Sequence, residues 1–465
     1  MTLPKHLLDS LQNIKGFDKE AFEKIHASPQ QLTSIRINPV KNFEARTRHS
    51  DCEQREAGSK NVELSPVPWS QYGFYLKERP SFTFDPLFHA GCYYVQEASS
   101  MFLEQALKQT VDLSKSLKVL DLSAAPGGKS THIQSLISRE SLLVGNEVIR
   151  SRANILKDNI IKWGSANVMV TNNDPKDFAK LESYFDVIVV DAPCSGSGLF
   201  RREPEAMDEW SLNNVQLCSQ RQQRILADVW PALKKDGVLI YSTCSYSKEE
   251  DEDILDWMEK ELTVDSCPLT VPAEWGIVPV ESGEGSVGYR FWPDKLKGEG
   301  FFLACIRKLS GGENFSFKIK NKPERPSKNE TALIEKWVDS SSLDFIKYKN
   351  TVYAWPKPLV DDFSRLLNSL RVIYSGTIIG EIFRDKLVPD HALAMSPLAK
   401  PSIEKTALNH QQAIDYLKRK ELHINTLNKG WQLVIYEGYS LGWINVLSNR
   451  INNYYPKELR ILKDI

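Results

Sequence analysis

Two cysteines in this 465-residue chain each follow a short apolar run: Cys194 comes after FDVIVVDAP and Cys244 after VLIYST. Both runs read as strands. If they lie in one parallel sheet, their carboxyl ends open into the same cleft, and two thiols face one site. A thiolate is the nucleophile suited to conjugate addition on an electron-poor ring, and its activation needs a partly exposed, electropositive or hydrogen-bonding setting. Packing as small buried hydrophobes is the competing reading of either cysteine alone. The chain has seven cysteines, an odd number without C-x-x-C pairs, which suits neither a disulfide framework nor a zinc site.

A second group of residues suits a ligand. Leu117, Val119, Leu120 and Leu122 form a run fit for a strand covered on both faces, and the stretch DLSAAPGGKS from Asp121 to Ser130 follows. Ile133, Leu136 and Ile137 then mark one apolar face of a helix. The glycines therefore sit at a strand-to-helix turn, where open α/β sheets bind ligands. A phosphate-binding P-loop ending at Gly128-Lys129-Ser130 would need glycine at position 123, which is Ser123, and no G-x-G-x-x-G is present. A tight turn with no ligand stays open beside close backbone approach by a small molecule. Acids recur at successive strand ends: Glu147, Asp174 and Asp191. One such acid would be an ordinary helix N-cap; three together suit ribose hydroxyls and an adenine amino group, hence a nucleoside-containing cofactor.

The elements that must position these residues alternate from Leu117 onward as strand and helix, the pattern of a mostly parallel sheet with helices on both sides. Strands are expected at 142–147, 167–171, 185–191 and 238–243, with GFFLACIRK at 300–308 closing the sheet in antiparallel fashion. Before them lies a small α+β module over residues 1–91, with helices broken at Gly16 and near Pro29 and a strand in SIRINPVK, 34–41. The catalytic domain spans 92–310, 311–331 reads as a linker, and 332–465 is a second folded region. Glu437-Gly438 there reads as a hairpin turn. Gln96 and Glu97 either face a ligand or cap a helix.

Composition is that of an ordinary globular protein, 41% hydrophobic and 26% charged, with no apolar run long enough to span a bilayer and no signal peptide pattern. The expected location is the cytoplasm. A net charge of -1 means that nucleic acid would be held through local basic patches. Candidates are Arg36 with Lys41, Arg150 with Arg152, Arg201 with Arg202, and Arg450 with Lys457 and Arg460; a solvated surface is the plainer reading of each.

Taken together, the motifs resemble the RsmB/RsmF (Sun-type) RNA cytosine-5 methyltransferases. DLSAAPGGKS is similar to that family's cofactor loop, DAPCSGSG to its Pro-Cys motif and YSTCS to its Thr-Cys motif, in the family's order. SIRINPVK, YVQEASSM and GEGFFLACIRK resemble its other elements, and LGWINVLSNRINNYYPKELRI resembles the PUA-like RNA-binding end of the RsmF-like 16S rRNA branch. Ser123 departs from the cysteine that many members carry. The resemblance implies a Rossmann-like methyltransferase sheet and S-adenosyl-L-methionine as cofactor. Ser123, Ala124, Ala125, Pro126, Gly127, Gly128 and Lys129 would wrap its methionine portion, with Glu147 on the ribose, Asp174 near the adenine and Asp191 between cofactor and base. It further implies Cys244 as the nucleophile at cytosine C6, Cys194 in product release, Asp191 on the ring, and Lys129 at the base or favouring the thiolate. The substrate implied is RNA, small-subunit (16S) rRNA, within the 30S subunit or free, for a monomer that needs no metal. A tRNA cytosine-5 methyltransferase and a non-catalytic RNA-binding assembly factor are the alternatives. A DNA enzyme would use the Pro-Cys cysteine and usually follow it with Gln, where this chain has Ser195.

Overall fold

The computed structural model describes residues 3–28, 31–41, 64–311, 323–424 and 428–463. Two helices, Lys5–Leu11 and Lys19–Ala27, precede a four-stranded antiparallel sheet of β1 (Thr33–Ile37), β2 (Leu64–Pro66), β3 (Gly73–Leu76) and β4 (Tyr93–Val95). The central sheet follows, with β5 (Lys118–Asp121), β6 (Leu142–Asn146), β7 (Val168–Thr171), β8 (Phe185–Asp191), β9 (Leu233–Thr243), β10 (Val264–Ser266), β11 (Val278–Glu281), β12 (Val287–Phe291) and β13 (Phe301–Lys308). Its centre runs β9-β8-β5-β6-β7 and is parallel throughout. β13 pairs antiparallel with β9, as GFFLACIRK predicts, but it does not end the sheet: β12 and β11 continue beyond it.

Period-two alternation divides the apolar residues of these strands between two cores. Leu143, Val168, Val170, Val187, Val189, Val238 and Ile240 face one side. Leu142, Val144, Met169, Ile188, Val190, Leu239 and Tyr241 face the other. A strand apolar on both faces reads as an uninterrupted hydrophobic run, and that is why the central strands were legible from sequence. Connections leave β5 toward β6 on one side and return to β8 on the other. The crevice between the carboxyl ends of β5 and β8 is thus the topological switch point.

The carboxyl-terminal region does not stand apart from this sheet. After β14 (Leu343–Tyr348) and β15 (Thr351–Pro356), strand β16 (Val372–Ser375) pairs antiparallel with β7 and becomes the far edge of the central sheet. Trp355, Leu359, Phe363, Leu366 and Leu370 pack into the second core. Of the expected linker, 312–322 lies outside the described residues, and the helix Lys328–Ile334 starts within its remainder, held by a reciprocal capping box of Ser327 and Glu330. β17 (Thr377–Phe383) and β18 (Lys386–Pro389) complete a four-stranded sheet with β14 and β15. The last sheet comprises β19 (Lys405–Ala407), β20 (Gly430–Tyr436), β21 (Tyr439–Val446) and β22 (Ile451–Asn453), and its β20–β21 turn is the Glu437-Gly438 pair, both residues at positive φ. No helix among the described residues is long and apolar enough to cross a membrane.

This integration makes a prediction. Phe363 is fully buried with its ring 4.8 Å from that of Trp355, so Phe363→Ala should destabilise the protein by about 3–5 kcal/mol. Urea unfolding should lose cofactor binding in the same transition. If the catalytic unit kept its midpoint while the carboxyl-terminal sheets melted, the two would be separate folding units.

Candidate active site

At the end of β5 the chain enters the loop that sequence picked out. Its first residues remain tied to neighbouring strands: Leu122 N donates to Val189 O (2.9 Å) and Ala124 N to Asn146 O (2.8 Å). Gly127, at φ +117°, turns the chain into the helix Gly128–Leu136, a conformation that L side chains rarely adopt. The loop's carbonyls are held from outside, Ala125 O by Arg152 Nη2 (3.0 Å) and Pro126 O by Asn159 Nδ2 (2.8 Å).

Two residues that build this corner were missed as site residues. Arg36, on β1, was a candidate for a basic patch. The structure buries it completely, with its guanidinium 4.6 Å over the Trp163 ring, donating to Gly128 O (3.2 Å), Thr131 Oγ1 (2.6 Å) and Gln96 Oε1 (2.9 Å). It fastens the amino-terminal sheet to the first turn of the cofactor-loop helix. Lys41 likewise donates to Met395 O and is no surface cation, and Arg201, also buried, donates to Gly298 O. Burial pulls the Arg36 guanidinium down to about 9. Asn146, fully buried, donates to Leu122 O (3.1 Å) and Asn173 O (3.0 Å), joining the ends of β5, β6 and β7. Gln96 and Glu97 resolve as structural: Glu97 caps Ser99 N (2.9 Å) and Ser100 N (3.0 Å).

The acids fall in different settings. Asp121 is fully buried, accepts from Ser130 Oγ at 2.6 Å through one oxygen, and has no partner for the other. Burial raises its carboxyl to about 7, with Asp191 and Glu147 adding to the shift. Glu147 is buried at the end of β6 and accepts from Ile149 N (3.0 Å), with Arg152 Nη1 3.6 Å from its second oxygen. Asp174 is half-buried and caps the turn Pro175–Leu181 through Lys176 N (3.2 Å). Asp174 is thus the N-cap that sequence offered as the alternative for a single acid, whereas Glu147 precedes the helix Arg150–Trp163, whose N-cap Ile149 has no side-chain cap bond. Val148 and Ile149, each about half exposed, follow Glu147 as apolar surface at the mouth of the crevice.

On the other wall, Lys129 and Asp191 meet. Lys129 Nζ lies 2.7 Å from Asp191 Oδ2 and 5.1 Å from the centre of the Phe301 ring. Asp191 accepts from Ser242 Oγ through its other oxygen at 2.8 Å and keeps 38% of its side chain exposed, so it can still receive a ligand. Cys194 and Cys244, fifty residues apart in sequence, have their sulfurs 3.0 Å apart, and both are half-buried. Contact with the Cys244 sulfur, then burial, hold the Cys194 thiol well above the usual thiol range. A cluster of carboxylates around an orphaned acceptor, beside a left-handed glycine turn, fits a cationic sulfonium cofactor with ribose hydroxyls to donate.

A family model described as 16S rRNA methyltransferase RsmB/F matches residues 108–307. Models of the N-terminal domain of 16S rRNA methyltransferase RsmF and of the methyltransferase RsmF PUA domain match 3–98 and 404–461. Among curated relatives, the ribosomal RNA small subunit methyltransferase F of Psychromonas ingrahamii is 32% identical over 481 residues, covering 98% of this chain and 97% of the relative. That of Pectobacterium atrosepticum is 30% identical over 480 residues, covering 98% and 96%. Among solved structures, a methyltransferase homolog from Pyrococcus horikoshii superposes with a TM-score of 0.51 at 27% identity, over 66% of this chain and all of that one. By its arrangement of loop, acids and paired cysteines and by these full-length likenesses, the chain belongs to the RsmB/RsmF family of 16S rRNA methyltransferases, in the RsmF branch.

Proposed function

We propose that this protein uses S-adenosylmethionine to methylate C5 of a cytosine in small-subunit rRNA, in the cytoplasm, through a covalent bond between Cys244 and C6. The observation that carries the proposal is the contact of the Cys194 and Cys244 sulfurs at 3.0 Å, beside the Lys129–Asp191 pair. When bound, the cofactor supplies a methyl group on a sulfonium sulfur, which C5 takes once the ring has been activated. Residues 123–129, Glu147, Asp174 and Asp191 would hold it, and the half-exposed Val148 and Ile149 would offer apolar surface to its adenine.

The remaining chemistry belongs to the chain. C5 of cytosine is too weak a carbon nucleophile until the Cys244 thiolate adds at C6, which moves the C5–C6 double-bond pair toward C5. Asp191 accepts from the exocyclic amino group and from N3 when the ring is protonated there, and Lys129 balances its charge. After transfer C5 bears both hydrogen and methyl. The proton leaves, its bonding pair rebuilds the C5–C6 double bond, and the C6–S pair returns to Cys244. Cys194, in contact with that sulfur, is placed to take the C5 proton while giving its own to the departing thiolate. The target base must be unpaired or flipped from its stack to reach these groups.

The names of the relatives and the PUA match at 404–461 support rRNA over tRNA. Mapping 5-methylcytosine in total RNA from cells with and without this gene should remove the modification from a 16S rRNA position. Loss from tRNA would support the tRNA alternative, and no loss the assembly-factor alternative. For the cofactor, Glu147→Ala should weaken S-adenosylmethionine binding by about 1–3 kcal/mol in calorimetry, since a buried acceptor is lost. Unchanged affinity would remove Glu147 from the site.

A further inference from the structure

The loops that carry the two cysteines are joined by a carboxylate that neither the motifs nor the comparisons single out. Glu250 is fully buried and closes the short 3-10 turn Lys248–Glu250 that follows the Cys244 loop. Its Oε1 accepts from Ser195 N (2.8 Å) and Gln222 Nε2 (3.2 Å), and its Oε2 from Ser195 Oγ (2.5 Å) and Ser245 Oγ (2.6 Å). Ser195 is the residue after Cys194, and Ser245 the residue after Cys244. Gln222 extends the network by donating to Pro193 O (3.1 Å), on the other side of Cys194. Tyr241 supports it from β9, its hydroxyl lying 2.6 Å from Glu250 O and 3.0 Å from Gln222 Oε1.

The neighbouring acid shows what is unusual about Glu250. Asp251 accepts from Thr243 Oγ1 at 2.6 Å and lies 3.2 Å from the Arg290 Nη1 cation, although burial still raises its carboxyl well above the usual range. Glu250 has no ion-pair partner among the described residues; neutral donors surround it, and burial raises its carboxyl above the usual range. A buried anion without a counter-ion is costly and persists only where hydrogen bonds saturate it. Saturation here uses groups from both cysteine loops, so the carboxylate stays satisfied only while the loops keep their spacing.

We infer that Glu250 is a positioning residue that holds the Cys194 and Cys244 loops at contact distance and thereby governs release of the methylated base from Cys244. The inference rests on the covalent reaction proposed above. Without the tie, Cys244 can still add to C6 and C5 can still be methylated. The handover of protons between the two sulfurs fails, because it requires them to touch. Loss of Glu250 should therefore resemble loss of Cys194 more than loss of Cys244.

The test uses full-length protein with RNA and S-adenosylmethionine, reading covalent complex on denaturing gels alongside kcat and KM. Cys194→Ala serves as the reference. Glu250→Ala should accumulate adduct and lower kcat by about tenfold or more, with KM for the cofactor nearly unchanged. Glu250→Gln should restore release, since an amide oxygen still accepts from Ser195 N and Gln222 while its NH₂ donates to the two hydroxyls, which can rotate to accept. Ser245→Ala cuts the Cys244 side of the tie, leaves three bonds on the carboxylate, and should shift the adduct in the same direction should Glu250→Ala fail to fold. Adduct with Cys194→Ala but with neither Glu250→Ala nor Ser245→Ala would overturn the inference, as would adduct as abundant with Glu250→Gln as with Glu250→Ala. No adduct with Cys194→Ala would instead contradict the proposed reaction.

Discussion

Cys244→Ala should transfer no methyl group and leave no RNA attached to the protein, whereas Cys194→Ala should accumulate a protein–RNA complex that survives a denaturing gel. The difference follows from the order of bond making. Cys244 must bond C6 before C5 can act, so its removal should lower the rate by about 10⁴-fold or more with nothing to trap. In the proposed reaction Cys194 is needed only once C5 carries both methyl and hydrogen, so its loss should strand the product on Cys244. The sulfurs are 3.0 Å apart, close enough for a proton to pass from one to the other as Cys244 leaves C6. If Cys194 were only packing, Cys194→Ala would cost about 1 kcal/mol of stability and trap nothing. Reversed phenotypes would assign the nucleophile to Cys194, as in the DNA enzymes.

A second large effect is expected at the Lys129–Asp191 pair. Asp191→Ala removes the proposed acceptor for the cytosine amino group and leaves Lys129 with its ammonium 5.1 Å from the Phe301 ring and no carboxylate at 2.7 Å. The loss should appear in kcat, by about 10²–10⁴-fold, because the interaction strengthens as charge develops on the ring. Lys129→Met should also lower kcat, by less, since Ser242 Oγ still donates to Asp191 at 2.8 Å. Circular dichroism melts separate this from misfolding. A purely structural pair would lower the midpoint and spare the rate per folded molecule.

Much of this site was legible because its parts are local. A strand apolar on both faces, a glycine turn and a cysteine just past a strand end each declare themselves within ten residues, and parallel topology brings such ends together. What sequence could not show depends on distant partners. Arg36 reads as a surface cation until Trp163 and the cofactor-loop helix close over it. β16 is an unremarkable apolar run until the exposed edge of β7, two hundred residues earlier, supplies its partner. Glu250 stands in the acidic run KEEDED, yet it turns inward because four donors from the two cysteine loops and Gln222 converge on it. Glu147 and Asp174 were read as ligand acids or helix caps; each accepts from the backbone N–H two residues on, a contact as local as the strand end that carries it.

The central claim is addition at C6 and substitution at C5, and small-subunit rRNA labelled with tritium at C5 of its cytosines tests both. Incubated with the full-length protein and S-adenosylmethionine, this RNA should release tritium to water in step with methyl transfer, with the product digesting to 5-methylcytidine and Cys244→Ala releasing none. Methyl incorporation with the tritium retained on the ring would contradict the account.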